Sequence, residues 1–473
     1  MSSNQSRQNR EEIRELLRQY QNLKAGRSNS FLDEDSFEKV IDYYDDLEDI
    51  AKAIEAAETG IEQYPFSSLL LIKKADLFIA SRRYQEALQI LKQAEVLDSG
   101  NIHLYILKTD AYLALDQQEK AVSLLEAALE KFDGDERIEL LFELADVYDD
   151  YEEFDKIFDC LKIILEQDPV NEEALYKICF WTDFTGRNEE SIKLHQKIID
   201  EFPYCELAWF NLGAALQGLK LYEKAVDAYQ YAIAIDEKFD YAYRNMGDAF
   251  IRMRKYKEAI EVLEKVIELS RPEDVIYEAI GHCYDRLKNF AQARFYYRKA
   301  SHLNPEDSKL YFKIAGTYMN EGQWVQASKH LETALNLQPS QPEYNLAMGE
   351  CKMQLEDIRQ AIHFFSNVVR LRPKNISSWE ALIRCLFSAG YYEEALEQVD
   401  AAIKITDGKP LFYYYLSAVY FALGKSKEAL LHLEKSLMKA PKLLKKFVEL
   451  NPSILQNQQV VDVIAKFKRS LKS

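Results

Sequence analysis

The sequence predicts an all-α fold of helical hairpins stacked one on the next, and three observations carry that prediction. First, Ala53, Ala87, Ala121, Ile157, Ser191, Ala225, Ala259, Ala293, Ala327, Ala361, Ala395 and Ala429 recur at a step of 34 residues, interrupted once by a step of 36. A fixed period of this length marks a supersecondary unit that cannot bury its apolar face alone and must stack on its neighbours. Second, when that alanine is numbered position 20, large apolar residues return at positions 4, 7, 11 and 24, as in Tyr277, Ile280, Tyr284, Tyr297 and in Tyr311, Ile314, Tyr318, Leu331. This is helical spacing. Third, prolines punctuate the repeat ends at Pro65, Pro169, Pro203, Pro305, Pro339, Pro373 and Pro441, where a fixed φ and a missing N–H stop one helix before the next begins.

The elements follow in chain order. Residues 1–33 are a polar segment in which Ile13, Leu16, Leu17, Tyr20 and Leu23 stand at helical spacing, which predicts a short N-terminal capping helix. Residues 34–441 hold about twelve repeats as one solenoid. Small residues occupy the close helix crossings at position 8, as Gly213, Gly247, Gly281 and Gly349, and at positions 20 and 27. The long step is explained by two extra residues near Phe132-Asp133-Gly134-Asp135, a loop-type run. Ile157 and Ser191 replace the small apolar residue in repeats four and five, and His195 takes an apolar site at position 24, which predicts weaker packing there. Residues 442–473 read as basic C-terminal capping helices, with Val460, Ile464, Phe467 and Leu471 covering the last hairpin.

Composition bounds the chemistry. The six cysteines (Cys160, Cys179, Cys205, Cys283, Cys351, Cys385) contain no Cys-x2-Cys pair and read as buried thiols, and the dispersed histidines give no metal motif. No cofactor or metal is expected. Nucleophile elbows, phosphate loops and zinc motifs are absent, so no catalytic residues are assigned and the chain is not expected to be an enzyme. No apolar leader follows the first residue and no apolar run of 18 residues occurs, so a cytoplasmic location without membrane insertion is expected. Residues 1–200 carry 44 acidic and 23 basic residues, net −21, while residues 201–473 carry 34 and 37, net +3. Such asymmetry disfavours nucleic acid as partner of the first half and suits a basic or mixed-charge protein.

Trp209, Leu212, Gly213, Leu216, Ala225, Tyr229 and Ala232 together resemble the tetratricopeptide repeat. The resemblance implies a right-handed superhelical solenoid and a cytoplasmic scaffold of bacterial type. It also implies that positions 2, 5, 6, 9, 12 and 13 of each first helix line a concave groove. Carried onto this sequence, position 9 gives Asp42, Asp76, Asp110 and Asp146, and positions 12 and 13 add Asp45, Asp46, Asp149, Asp150 and Asp183. Stacked carboxylates repel, so either a cation-rich partner offsets the cost or they form solvated faces of an acidic protein. Phe142, Tyr176, Phe180, Phe184 and Phe210, with Asn211, fall on the same surface, as peptide anchors or as packing between repeats. Farther on come Arg244, Arg252 and Arg286, and then an apolar zone of Phe312, Met319, Phe387, Tyr414 and Phe421, each open to filling by neighbouring repeats.

Two known uses of the family groove fit poorly. The clamp for C-terminal carboxylates needs Lys at position 5 and Asn at position 9, and no repeat has either; the asparagine ladder needs Asn at position 6, met only by Asn211 and Asn245. The resulting expectation is a non-catalytic scaffold or adaptor holding a protein or peptide with basic and apolar residues. The alternative is the recognition subunit of an enzyme or secretion complex whose catalytic chain is separate.

Overall fold

The computed structural model describes the backbone of residues 2–27, 31–271 and 273–470; Leu471 of the expected C-terminal stripe lies outside them. Among the described residues the structure is helical with no strand. The chain divides into two compact units, Met1–Ala242 and Tyr243–Ser473.

In the first unit the helix Ser2–Lys24 leads six hairpins, whose paired helices are Glu34–Asp46 with Ile50–Gln63, Ser68–Ala80 with Tyr84–Leu97, Ile102–Ala114 with Gln118–Leu129, Gly134–Asp150 with Phe154–Gln167, Glu172–Thr185 with Asn188–Glu201, and Glu206–Gly218 with Tyr222–Ile235. Several first helices start where a side chain supplies the N-terminal cap: Asp33 accepts from the Ser36 N–H, Ser67 from Leu70 and Asn171 from Ala174. Tyr20 is buried against the Phe37 and Tyr44 rings, both 6.4 Å away, so the N-terminal helix covers the open face of hairpin 1.

Hairpin 7, Asp240–Arg252 with Tyr256–Leu269, begins at the division between the units. The second unit continues with Asp274–Arg286 and Phe290–Leu303, Ser308–Asn320 and Trp324–Leu337, Pro342–Gln354 and Ile358–Leu371, Ile376–Ser388 and Tyr392–Ile405, and Pro410–Ala422 and Ser426–Lys439. Within each unit the second helix of one hairpin packs on the first helix of the next.

Position 8 is small for a steric reason. A Cβ on Gly281 would meet the Tyr297 ring at 2.7 Å, and one on Gly349 would meet Phe365 at 2.6 Å. Position 8 of a first helix thus faces position 24 of the second, and the interior tolerates bulk on one side only.

A residue in the left-handed region stands at position 15 of every hairpin. Glycine supplies it at Gly186, Gly322, Gly390 and Gly424, whereas Glu48, Arg82, Asp116, Glu152, Lys220, Arg254, Lys288 and Glu356 adopt the same conformation with full side chains. In hairpin 1 the Glu48 N–H donates to Asp45 O (2.7 Å) and the Asp49 N–H to Tyr44 O (2.9 Å), and this pair of bonds recurs in every hairpin except hairpin 5.

Two expectations are modified. The run Phe132–Asp135 is only partly a loop, because the helix begins at Gly134: the two extra residues, with two by which Gln118–Leu129 falls short of its counterparts, lengthen hairpin 4's first helix to 17 residues. Ile157 is buried without disturbing its hairpin. The anomaly concentrates in hairpin 5, whose two helices approach each other less closely than those of hairpins 4 and 6. Cys179 stands there at position 8 opposite His195, in place of the glycine and ring of hairpin 6. The weak point therefore narrows from residues 138–205 to hairpin 5: amide exchange is expected to open 172–205 before hairpins 6 to 9, and uniform protection along the chain would contradict this.

The C-terminal stripe does cover the last hairpin: the helix Gln458–Ser470 packs on Ser426–Lys439 with Val460 buried in the core. A further helix, Leu444–Leu450, packs instead on Pro410–Ala422 and Ile376–Ser388, the first helices of hairpins 12 and 11. Four of the six thiols are buried and two half-buried.

Candidate functional site

The helix Glu172–Thr185 carries the aromatic residues of the expected site. Asn171 caps its start, Glu172 and Glu173 favour its first turn, and Gly186 at φ +71° ends it. Ala174, Leu175, Ile178 and Thr182 are buried, which leaves Tyr176, Phe180 and Phe184 on the opposite side at 59%, 60% and 57% exposure. Exposed rings are costly to hydrate, so three on one helix face are unusual for a surface with no other role.

The three rings do not form one continuous row. Phe180 and Phe184 lie 6.0 Å apart and nearly parallel, and both contact Trp181, at 4.9 and 5.7 Å. Phe184 meets the Phe154 ring edge-on at 4.7 Å, and Phe154 stacks on Trp181 at 5.4 Å. The structure thus groups four rings, of which Phe154 and Trp181 are half-buried and support the two exposed ones. Sequence reasoning missed that pair because positions 17 and 10 are not groove positions. Tyr176 has no ring neighbour among the described residues; burial and the nearby Glu172 and Glu206 carboxylates raise its phenol pKa.

Phe142 is half-buried beneath the Lys177 ammonium, 5.0 Å from its ring centroid. Lys177 also pairs with Glu173 at 2.8 Å and approaches Asp146 at 3.8 Å. Burial opposes the charge of Lys177, but these carboxylates outweigh it and hold the ammonium above its usual pKa. One cation over an aromatic face beside two carboxylates is a working instance of the chemistry a basic ligand would meet on this surface.

Acidic side chains of successive first helices lie close enough to influence one another. Asp76 is raised by lost hydration and then by Asp45; Asp110 by lost hydration and then by Asp76; Glu143 by lost hydration, then Asp110 and Asp146. Asp146 is raised by lost hydration, with Lys177 opposing and Glu173, Asp149 and Asp150 adding to the rise. Asp76, Asp110 and Asp146 are nonetheless exposed by area, as are Asp149 and Asp150: each side chain touches water on one side, while protein on the other removes part of the hydration of the first three. Glu143 was not foreseen: it stands at position 6, where no other repeat has a carboxylate, so no repeating acidic pattern marked it. Asp149 and Asp150 close the helix Gly134–Asp150, whose last turn has no basic residue, so the carbonyl end of the helix adds to the negative potential. Asp183 is exposed beside the rings. Asp42 is neutralised internally by Lys73 at 2.7 Å.

Two expected groove residues are corrected. Asn211 is buried: its Nδ2 donates to Leu175 O (2.7 Å) and to His195 Nε2 (3.2 Å), so its amide serves a polar network beneath the surface. Phe210 is half-buried and lies on Tyr229 and Phe239, at 5.8 and 5.1 Å, as packing within its own repeat. Asn245 lies half-buried on Asp240–Arg252, among residues of the second unit.

His195, wholly buried, completes the network. Its Nδ1 lies 2.8 Å from Ser191 O, where only an N–H can serve, and 3.2 Å from the Ser191 hydroxyl, itself 3.2 Å from Thr182 Oγ1. Desolvation pushes the imidazole pKa down to about 4. No group of three or more His, Cys, Asp or Glu able to hold a metal occurs among the described residues, and no described helix is long and apolar enough to cross a membrane.

Family models for the tetratricopeptide repeat match residues 41–102, 78–147 and 207–239. The model of the tetratricopeptide repeat protein 21 C-terminal ARM domain matches 224–346, and that of subunit 3 of the anaphase-promoting complex, or cyclosome, matches 358–436. No curated protein sequence matches the chain. Among solved structures, the chain is similar to the C-terminal part of a repeat protein of this kind from Cytophaga hutchinsonii, at 15% identity over 54% of this chain and 98% of that one, with a TM-score of 0.45. It is similar to YrrB, described as having an unusual peptide-binding site, at 20% identity over 40% and 96%, TM-score 0.36. The Cut9-Hcn1 hetero-tetramer of the anaphase-promoting complex is similar at 14% identity over 92% and 96%, TM-score 0.34.

Proposed function

We propose that this chain of tetratricopeptide repeats is a non-catalytic scaffold whose first compact unit holds a protein or peptide segment rich in basic and apolar residues. One observation carries the reading: the exposed Phe180–Phe184 pair stands on the first helix of the hairpin after Gly134–Asp150, whose Glu143 and Asp146 are raised by lost hydration and by neighbouring carboxylates. Apolar anchors beside an excess of carboxylates, which Lys177 only partly balances, are complementary to a segment alternating lysine or arginine with large apolar residues. Lys177 over Phe142 supports the same chemistry from within the chain.

The reading is tested with a fluorescent peptide alternating lysine and phenylalanine, titrated against the full chain. Changing Asp146, Asp149 and Asp150 to lysine is expected to weaken binding by roughly tenfold and to flatten its salt dependence, because close carboxylates steer a basic ligand through a field that salt screens. Affinity indifferent to both the substitutions and salt would make these carboxylates a solvated face. Affinity capture from the native host with mass spectrometry then identifies the natural segment.

A further inference from the structure

The first-helix register that hairpin 5 exposes is shut in hairpin 12. Tyr176 and Phe180, at positions 5 and 9, are about three-fifths exposed, whereas Tyr414, Tyr415 and Ala418, at positions 5, 6 and 9 of hairpin 12, are each at 0%. Over Tyr414 lies Phe447 of the short helix Leu444–Leu450, which packs on the first helices of hairpins 11 and 12.

Its attachment has two anchors. Phe447, fully buried, lies 6.0 Å from the Tyr414 ring, and the Tyr414 hydroxyl donates to Ala440 O (3.1 Å) just ahead of the helix. The adjacent Lys446 donates to Glu380 at position 5 of hairpin 11 (2.8 Å), which also accepts from the Tyr415 hydroxyl (2.9 Å) and has Arg384 at 3.7 Å. Burial raises the Glu380 carboxyl, but the bonds from Lys446 and Tyr415 outweigh it and leave its pKa below the usual value.

Elsewhere the array supplies this cation itself. Glu38 at position 5 of hairpin 1 faces Lys73 at position 6 of hairpin 2 (3.3 Å), and Glu278 of hairpin 8 pairs with Lys313 of hairpin 9 in the same register. In hairpin 12 position 6 is Tyr415, so the counter-charge for Glu380 comes from Lys446, outside the repeats. Leu444, Phe447 and Val448 form the helix's apolar side and Lys445 and Glu449 its exposed side, so the segment is amphipathic.

We propose that the first-helix face of hairpins 11 and 12 is a second recognition surface, for a short amphipathic helix bearing adjacent lysine and phenylalanine, and that residues 441–450 are its resident ligand. It stands independently of the reading of hairpins 4 and 5. A partner segment of the same chemistry binds by displacing the resident one, in the helix-in-groove mode, and the fraction of time the resident helix is released sets the partner's apparent affinity.

The test uses the full chain with Lys446→Glu and Phe447→Ala, which remove both anchors, and a labelled synthetic peptide of residues 441–456 as probe. Anisotropy should show the peptide binding the double variant at least tenfold more tightly than the unaltered chain, and adding Glu380→Lys should abolish that binding. A double variant that keeps its helical signal yet does not bind the peptide overturns the proposal; so does one in which hairpins 11 and 12 melt, since the segment would then be core. In the unaltered chain, amides of 444–450 should exchange before those of 376–388 and 410–422. Exchange of all three together would also overturn it.

Discussion

Replacing Phe180 and Phe184 together by alanine is expected to weaken binding of the basic-apolar segment by about 2 kcal/mol or more, roughly thirtyfold. Both rings are more than half exposed, so their truncation removes little that the free protein buries. Phe184 does meet Phe154 edge-on, and a single aromatic pair is worth about 1 kcal/mol. Both rings also contact Trp181, so three such pairs are lost and stability should fall by no more than about 3 kcal/mol; calorimetric melting beside peptide titration separates the two effects. If the double variant melts several degrees earlier and binds normally once folded, the four rings are inter-repeat packing and the segment docks elsewhere.

Acid should loosen hairpin 5 through His195. Its ring is held neutral, with Nδ1–H donating to Ser191 O and Nε2 accepting from Asn211, and a proton on Nε2 would face the Asn211 donor. Above the unfolded value of 6.5 neither state is charged and the residue contributes no pH dependence. Between 6.5 and about 4 the unfolded chain takes up a proton that the folded one refuses, so stability falls as pH falls, by about 3 kcal/mol in all. The raised carboxylates Asp76, Asp110, Glu143 and Asp146 act in the opposite sense, since the folded chain protonates them first. The comparison that isolates the histidine is urea unfolding of the chain against His195→Leu across pH 7.5 to 4.5. The variant should start less stable, because Asn211 loses an acceptor, and should lose the acid-dependent decline; identical slopes would show that the imidazole titrates normally.

The hairpins and their boundaries were legible because period and steric pattern report the same contact twice. Gly281 and Tyr297 are 16 residues apart and face each other, so the small residue and the large one each imply the other. The candidate site was legible only as a list of positions. Phe180 and Phe184 lie on the expected face, but Trp181 and Phe154, which brace them, come from positions with no groove role in the repeat. Asn211 matched a ligand-binding position and is buried, because His195 sits where a hydrocarbon is usual and needs an amide donor. Sequence marks both residues as unusual, and only the fold brings them together. The covering of Tyr414 by Phe447 was hidden for a related reason: a short helix after the last repeat gives no sign of which face it will take.

The left-handed residue at position 15 bears on how such a chain can vary. Eight of the twelve reversals place charged residues in a conformation that costs an L-amino acid on the order of 1 kcal/mol, where glycine would be relaxed. A turn that forms against its own local preference is dictated by the helices on either side, through the interlock of positions 8 and 24. Chemistry at the hairpin tips is thereby released from any duty to shape the backbone. Glu48, Arg82, Asp116 and Lys220 show the outcome, both signs of charge on one unchanging backbone bend. The tips are thus a row of sites where surface charge can be rewritten, one hairpin at a time, without disturbing the bend beneath.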